Sequence, residues 1–390
     1  MIFVQRSTTY HATKTVKKQM KIVIAIDKFK GSATSQQLAQ VIGDEIIRML
    51  PDAQVVAVPI ADGGDGTMQC VKSIIGDRAV TCHVSVAAPL RHLPRVDAQY
   101  VIDGDTAYMD LATASGLALV PDGCRNVMGA STFGTGEMIF HAINNGARHI
   151  VLGLGGSATC DGGTGILAAL GFRFLDKTGN EMAPCGENLA KIERIDNINV
   201  ESRVLNTRFT LLTDVDNPLF GMKGAAYVFA PQKGATPQQA ESLDNGLRHF
   251  ATLLPSHVAQ MPGAGAAGGV TAGMMGLLNA TIKPGIEFVL EMVHFDNLIA
   301  DADLVITGEG RIDSQTLHGK APAGVLAAAK KQNVPVIAMC GSVAPGTDTT
   351  SMGFKQVIAV TPHGMALRQA LKTDVTLQNV AHVTRKILFL

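Results

Sequence analysis

Tryptophan is absent from this 390-residue chain, tyrosine occurs four times, and aromatic residues reach only 5%. A core so poor in aromatics must be packed by aliphatic side chains, and apolar residues still make up 46%. With 41 glycines, that mix suits strands alternating with helices better than an all-β sandwich. An excess of either charge is also missing, since Lys+Arg and Asp+Glu are both 33. A neutral chain without a long basic run gives no electrostatic case for nucleic acid. No run of about 18 apolar residues exists, so no membrane span is expected. Cys70, Cys82, Cys124, Cys160, Cys185 and Cys340 are scattered, form no C-x-x-C pair, and read as reduced thiols of a cytoplasmic protein. The length exceeds what one compact core usually holds, so two domains are expected.

Several catalytic signatures are missing as well. There is no G-x-x-x-x-G-K-[ST], which excludes a P-loop NTPase, and no H-E-x-x-H. The H-R-D and D-F-G elements of protein kinases and the G-x-S-x-G nucleophile elbow are absent. No G-x-G-x-x-G follows the first strand, where a dinucleotide-binding domain would carry it.

What is present is a repeated texture of apolar run, glycine-rich loop, helix. Residues 21–27 form an apolar run ending in Asp27, as a buried parallel strand does at a ligand crevice. Thr34 or Ser35 can cap a helix to about residue 50, and 55–60 is a second strand. A helix follows the loop Ala61-Asp62-Gly63-Gly64-Asp65-Gly66-Thr67. Residues 80–86, 96–102 and 106–111 alternate, which predicts an antiparallel meander. Helical patterns return at 136–145, after residue 165, at 236–254, and after the glycine-rich stretch 263–269. Residues 304–307 read as a strand, 308–313 as a loop, 321–332 as a helix, and 334–339 and 357–360 as strands before a terminal helix. The two chain ends resemble each other and the middle differs. The expected fold is therefore α/β, with an open Rossmann-like, doubly wound domain formed by both chain ends (21–83 and 297–390). A second α/β domain, 84–296, is inserted in the middle. Residues 1–20 carry Arg6, Lys14, Lys17 and Lys18 without an acid or a signal-peptide core, and are expected to be a disordered extension.

The stretch Gly153-Leu154-Gly155-Gly156-Ser157-Ala158-Thr159-Cys160-Asp161-Gly162-Gly163-Thr164-Gly165 concentrates the chemistry. Backbone amides of such a loop, followed by a helix N-terminus, make an anion site, and Asp161 sits among hydroxyls inside it. Across the strand-end loops the acids are Asp27, Asp62, Asp65, Asp161, Asp214, Asp216, Glu309 and Asp313. The cations are Lys28, Lys30, Arg311 and Lys320, and the hydroxyls include Ser32. Phosphoryl transfer needs this mixture of phosphate-holding amides and cations, Mg²⁺-holding carboxylates and one acid to orient a hydroxyl.

These residues carry a resemblance. Asp27-Lys28-Phe29-Lys30-Gly31-Ser32 resembles the D-S-F-K-G-S of the type-1 glycerate kinases. Residues 61–67 are similar to their A-D-G-G-E-G-T, and 155–163 to their G-G-S-A-T-N-D-G-G. Asn217-Pro218-Leu219-Phe220-Gly221, Pro231-Gln232-Lys233-Gly234-Ala235, 263–269 and 307–320 follow in the same order, so the likeness spans about 21–390. Three positions depart from it: Lys28 for Ser, Asp65 for Glu and Cys160 for Asn. The resemblance implies ATP-dependent phosphorylation of D-glycerate to 2-phosphoglycerate in a cleft between two α/β domains. Mg²⁺ is expected with the ATP, and the sequence leaves the oligomeric state open, a homodimer being one option. On that expectation Asp161 or Asp214 is the general base, and Lys30 or Arg311 holds the substrate carboxylate. Lys28, Ser32, Asp62 and Asp313 also contact substrate. Gly155, Gly156, Ser157, Gly265, Gly268, Gly308 and Lys320 hold the nucleotide phosphates, and Asp62, Asp65 and Glu309 hold Mg²⁺. The alternatives are a nicotinamide-dependent oxidoreductase of a small hydroxy acid and a non-catalytic phosphometabolite-binding protein. A chain starting at Met20 is expected to stay soluble and fully active, which expression and assay of the truncated form would check.

Overall fold

The computed structural model describes residues 3–5, 19–64, 66–314, 316–317 and 319–387. The first arm of the chain supplies strands β1 (Phe3–Gln5), β2 (Lys21–Ile26) and β3 (Gln54–Ala57). The middle supplies β4 (Val80–Val86), β5 (Val96–Asp103), β6 (Thr106–Asp110), β7 (His149–Gly153), β8 (Arg173–Leu175), β9 (Arg194–Asp196), β10 (Arg208–Leu212) and β11 (Thr281–Lys283). The last arm adds β12 (Leu304–Ile312), β13 (Val336–Val343) and β14 (Gln356–Ala359). The chain divides into two compact units: Met1–Asp62 with Ile286–Leu390, and Gly63–Gly285. These divisions fall earlier than residues 83/84 and 296/297. The helix Thr67–Ile75 belongs to the middle unit, because the end of β6 caps it through Asp110.

The terminal unit carries a sheet of order β1-β3-β2-β12-β13-β14, parallel throughout except where β1 runs against β3. β2 is apolar on both faces because both faces are covered, and its isoleucines are buried. The helix Ser35–Met49 starts with a Thr34/Gln37 capping box and buries Leu38, Ile42 and Ile46 against this sheet. Each such side chain contributes about 1.5–3 kcal/mol of burial. The strand order steps from β2 to β3, then resumes on the other side of β2 with β12. That reversal is a topological switch point, and ligands of open α/β sheets sit at the carboxyl ends of the strands there. β1 lies within the segment expected to be a disordered extension, and it pairs with the β3 edge from Phe3↔Ala57 to Gln5↔Val55. Residues 6–18 fall outside the described residues.

The middle unit carries the order β11-β10-β7-β6-β5-β4. β4, β5 and β6 form the antiparallel meander, while β6, β7, β10 and β11 are parallel. Its core gathers Tyr100, Met109, Leu152 and Phe209 with helix residues such as Ile139, Leu247 and Met274. Among the described residues no helix is long and apolar enough to cross a membrane. All six cysteines are free thiols.

Two local expectations change. Residues 308–312 are not a loop but the second half of β12, paired with β13 from Gly308↔Met339 to Ile312↔Val343. Strand pairing is possible there because residue 308 has no side chain, for a Cβ would overlap the Met339 carbonyl oxygen. Similarly, 263–269 is not a plain helix start. Ala267, Gly268 and Gly269 take left-handed conformations before the helix that ends at Leu278 becomes regular. Gly308→Ala should therefore lower stability by about 1–3 kcal/mol, an overpacking effect read as a drop in melting temperature. An unchanged melting temperature would show that the strand pair can open to admit the methyl group.

Candidate active site

At the switch point of the terminal unit, chain ends of β2 and β12 bring charged groups together. Asp27 follows β2, is 7% exposed, and its amide donates to the Gly308 carbonyl at 3.0 Å. Its carboxylate accepts the Lys28 amide at 2.8 Å. Burial and then the nearby Asp62 push the Asp27 carboxyl up to about 7; Lys28 opposes the rise and Glu309 adds to it. On β12, Glu309 accepts the Thr316 hydroxyl at 2.7 Å and faces Lys320 Nζ at 3.4 Å. Burial raises its carboxyl, while Thr316 and Lys320 pull it down. Lys320 also reaches Asp313 at 3.5 Å, from the position just before the helix Ala321–Lys331. The arrangement is Asp27 with two acidic neighbours, Asp62 and Glu309, edged by Lys28 and Lys320.

The middle unit builds its own polar centre after β7. Asp161 is 0% exposed and accepts four hydrogen bonds. They come from the Thr132 amide and hydroxyl, both at 2.8 Å, and from the amides of Gly163 at 3.1 Å and Gly165 at 3.2 Å. Burial pushes its carboxyl above the ordinary value and these donors oppose that shift. One carboxylate thus joins the start of the helix Phe133–Asn144, next to Thr132, to the start of Thr164–Ala169. Upstream in the same loop, the amides of Gly155, Gly156 and Ser157 donate to no protein oxygen among the described residues. Consecutive amides of this kind form a concave anion nest.

A model of the glycerate kinase family matches residues 22–390. The chain belongs to the glycerate kinase family. A glycerate kinase of Halalkalibacterium halodurans is 44% identical over 359 residues, covering 90% of this chain and 93% of that protein. A glycerate 2-kinase of Escherichia coli K12 is 43% identical over 330 residues, covering 83% and 86%. The crystal structure of a protein assigned as glycerate kinase 2, from Salmonella typhimurium LT2, matches with a TM-score of 0.80 at 40% identity. It covers 95% of this chain and 97% of that one.

Several glycerate kinase motif residues sit where a ligand can use them, and others do not. Asp62, Asp313, Glu309, Lys28 and Lys320 gather near Asp27, with Lys30 and Arg311 exposed at the same strand ends. Gly310 packs against the Lys30 backbone, which keeps that loop beside β12. Ser32 bonds through its hydroxyl to Thr376 and through its carbonyl to Thr373, so it anchors the C-terminal helix rather than a substrate. Gly265, Gly268 and Gly308 are not phosphate donors. The Gly265 amide bonds Asn217 and the Gly268 amide bonds Gly265. Gly308 is paired inside the sheet with Ile26 and Met339. A Cβ at Gly268 would overlap the Thr159 carbonyl, so that glycine serves close packing. Asp214 is half-buried after β10, and Asp65 lies outside the described residues. Among the described residues, no three or more His, Cys, Asp or Glu side chains gather around a common metal position.

Two residues of the middle unit were not singled out by their local sequence. Asp110, at the end of β6, accepts the Gly66 amide at 3.0 Å and the Met68 amide at 3.1 Å, and so caps Thr67–Ile75. Lys233 is buried under the Ser157 loop. As for Asp161, it is fully buried and four donors already engage its carboxylate, an arrangement that suits a structural cap better than a base. Asp161→Asn should therefore cost about 1–3 kcal/mol in a urea titration, through one misfitted donor. Turnover of the folded variant should stay within about tenfold of wild type. Wild-type stability combined with a kcat loss of about 10² or more would return the base role to Asp161.

Proposed function

We propose that the chain transfers the γ-phosphoryl group of ATP to the 2-hydroxyl of D-glycerate, giving 2-phosphoglycerate and ADP. The observation that carries the reading is the placement of Asp27 at the switch point of the terminal sheet, a slightly exposed carboxyl held near neutrality beside Lys28 and two further acids. A general base works best when it ionises near the working pH. In the proposed step Asp27 accepts the proton of the 2-hydroxyl as its oxygen bonds to the γ-phosphorus, and the bond from that phosphorus to the β-phosphate oxygen breaks. The carboxylate of glycerate faces Lys30 or Arg311, the exposed cations beside it. Lys320, beside Glu309, is the proposed phosphate donor of this unit.

Mg²⁺ suits this donor set. Asp62 and Glu309 offer hard carboxylate oxygens beside Asp27. Mg²⁺ is commonly held by one or two carboxylates plus nucleotide phosphates. Asp62 and Glu309 would hold it, and when bound it would neutralise charge on the β- and γ-phosphates. The relatives named glycerate kinase and glycerate 2-kinase support the substrate assignment.

The test is ADP release that depends on D-glycerate, with the product identified by phosphorus NMR. Formation of the 3-phosphate, or ADP release indifferent to glycerate, would overturn the reading. Asp27→Asn should lower kcat by about 10² or more while leaving the KM for ATP within about threefold. A kcat close to wild type would remove Asp27 from the reaction.

A further inference from the structure

Lys233 is a buried cation without a carboxylate partner. It ends the short 3-10 turn Pro231–Lys233 and is 3% exposed. Its Nζ donates to the Ser157 hydroxyl oxygen at 2.8 Å and to the Thr159 carbonyl at 2.7 Å. An ammonium has three protons, so one is left without a protein acceptor among the described residues. The ionisable groups around it are Arg125, which lines the same small cavity and bonds the Gln232 carbonyl, Asp161, whose oxygens are engaged by four other donors, and Cys160, whose thiol burial pushes up to about 12. An ammonium taken out of water in this way is stable only if something negative compensates it.

The loop above it is arranged as the matching donor surface. An ammonium can only donate, so Ser157 Oγ is the acceptor of that bond and its own proton is free to point elsewhere. The same three residues carry the Gly155, Gly156 and Ser157 amides that have no internal acceptor. Gly156 is exposed and left-handed, while Ser157 and Lys233 lie beneath.

We propose that Lys233 is the counter-charge of an oxyanion held by the Gly155–Ser157 loop, namely a phosphate of the nucleotide triphosphate chain. The ammonium would neutralise the anion from below and turn the Ser157 hydroxyl into a donor toward it. This deepens the phosphoryl-transfer reading and rests on it for the identity of the anion. Lys233 is then a binding residue, not merely a strut for the loop. Burial lowers its pKa to about 8, so the charge is present at neutral pH and is lost as pH rises through that value.

The experiment is calorimetric titration of the full chain with inorganic tripolyphosphate, without glycerate, at pH 7 and pH 9.5. Wild type should bind about tenfold or more weakly at the higher pH. Lys233→Met should bind about tenfold or more weakly than wild type at pH 7, with a melting temperature close to wild type and with little further loss at pH 9.5. A Met variant that binds tripolyphosphate as tightly as wild type would overturn the proposal. So would a Ser157→Ala variant that binds tripolyphosphate as tightly as wild type, a smaller change that keeps the test open if the Met variant does not fold. Tripolyphosphate binding with this pH dependence, in a protein that releases no ADP with glycerate, would support Lys233 and reject the kinase reading instead.

Discussion

A carboxyl group with no access to water is unfavourable in a protein interior unless donors surround it, and Asp161 has four of them. Two come from Thr132, at the entry to one helix, and two from Gly163 and Gly165, at the entry to another. Removing any of these contacts would leave a buried acceptor or a frayed helix start. The loop from Gly153 to Gly165 is therefore fixed at its far end. Its geometry passes to neighbours by close approach: the Gly162 amide bonds the Gly268 carbonyl, and Gly268 in turn lies against the Thr159 carbonyl. At its near end the Gly156 carbonyl accepts the Leu117 amide and the Ser157 hydroxyl accepts Lys233, while the amides of Gly155–Ser157 are left for a ligand.

Among the acids in or beyond the strand ends of this chain, Asp27, Asp110 and Asp161 show how the same physics gives different fates. Asp110 and Asp161 are buried with several amide donors, so they act as caps. Asp27 has one amide donor and two acidic neighbours, so its charge is poorly compensated and its carboxyl stays close to neutrality. A carboxyl in the first condition stabilises a fold. One in the second condition costs stability and is retained where proton transfer or cation binding offsets that cost. Burial raises both carboxyls, and what sets Asp27 apart is its slight exposure and its single amide donor.

That distinction explains what could be read before the fold was known. Signals made by neighbours in sequence were legible: the buried run of β2, the helix start at Thr34 or Ser35, the alternating meander from Val80 to Asp110. The glycine-acid loops were legible too, as places where strands end. The job of each acid was not, because its donors arrive from elsewhere. Thr132 reaches Asp161 across 29 residues, and Gly66 reaches Asp110 across 44. No local pattern announces either pairing. Asp161 draws the eye by its position among glycines, whereas Asp27 looks like the ordinary end of a strand.

Glycine misleads in the same way. A run of glycines signals that something approaches the backbone closely, but that partner can be a ligand or another segment of the chain. At Gly308 it is the β13 strand, and at Gly268 it is the Thr159 carbonyl. At Gly155 and Gly156 the amides lack a protein acceptor among the described residues, and Lys233 lies buried beneath that loop with no ion-pair partner among them. Lys233 stands far from that loop in sequence, in a Pro-Gln-Lys-Gly turn with no charge pattern around it. Its meaning comes from the hydrogen bond to Ser157 rather than from its neighbours. For an anion-binding loop, the decisive quantity is therefore the number of amides and cations that the fold leaves uncompensated, which is a tertiary property even when the glycines that permit it are written in one stretch.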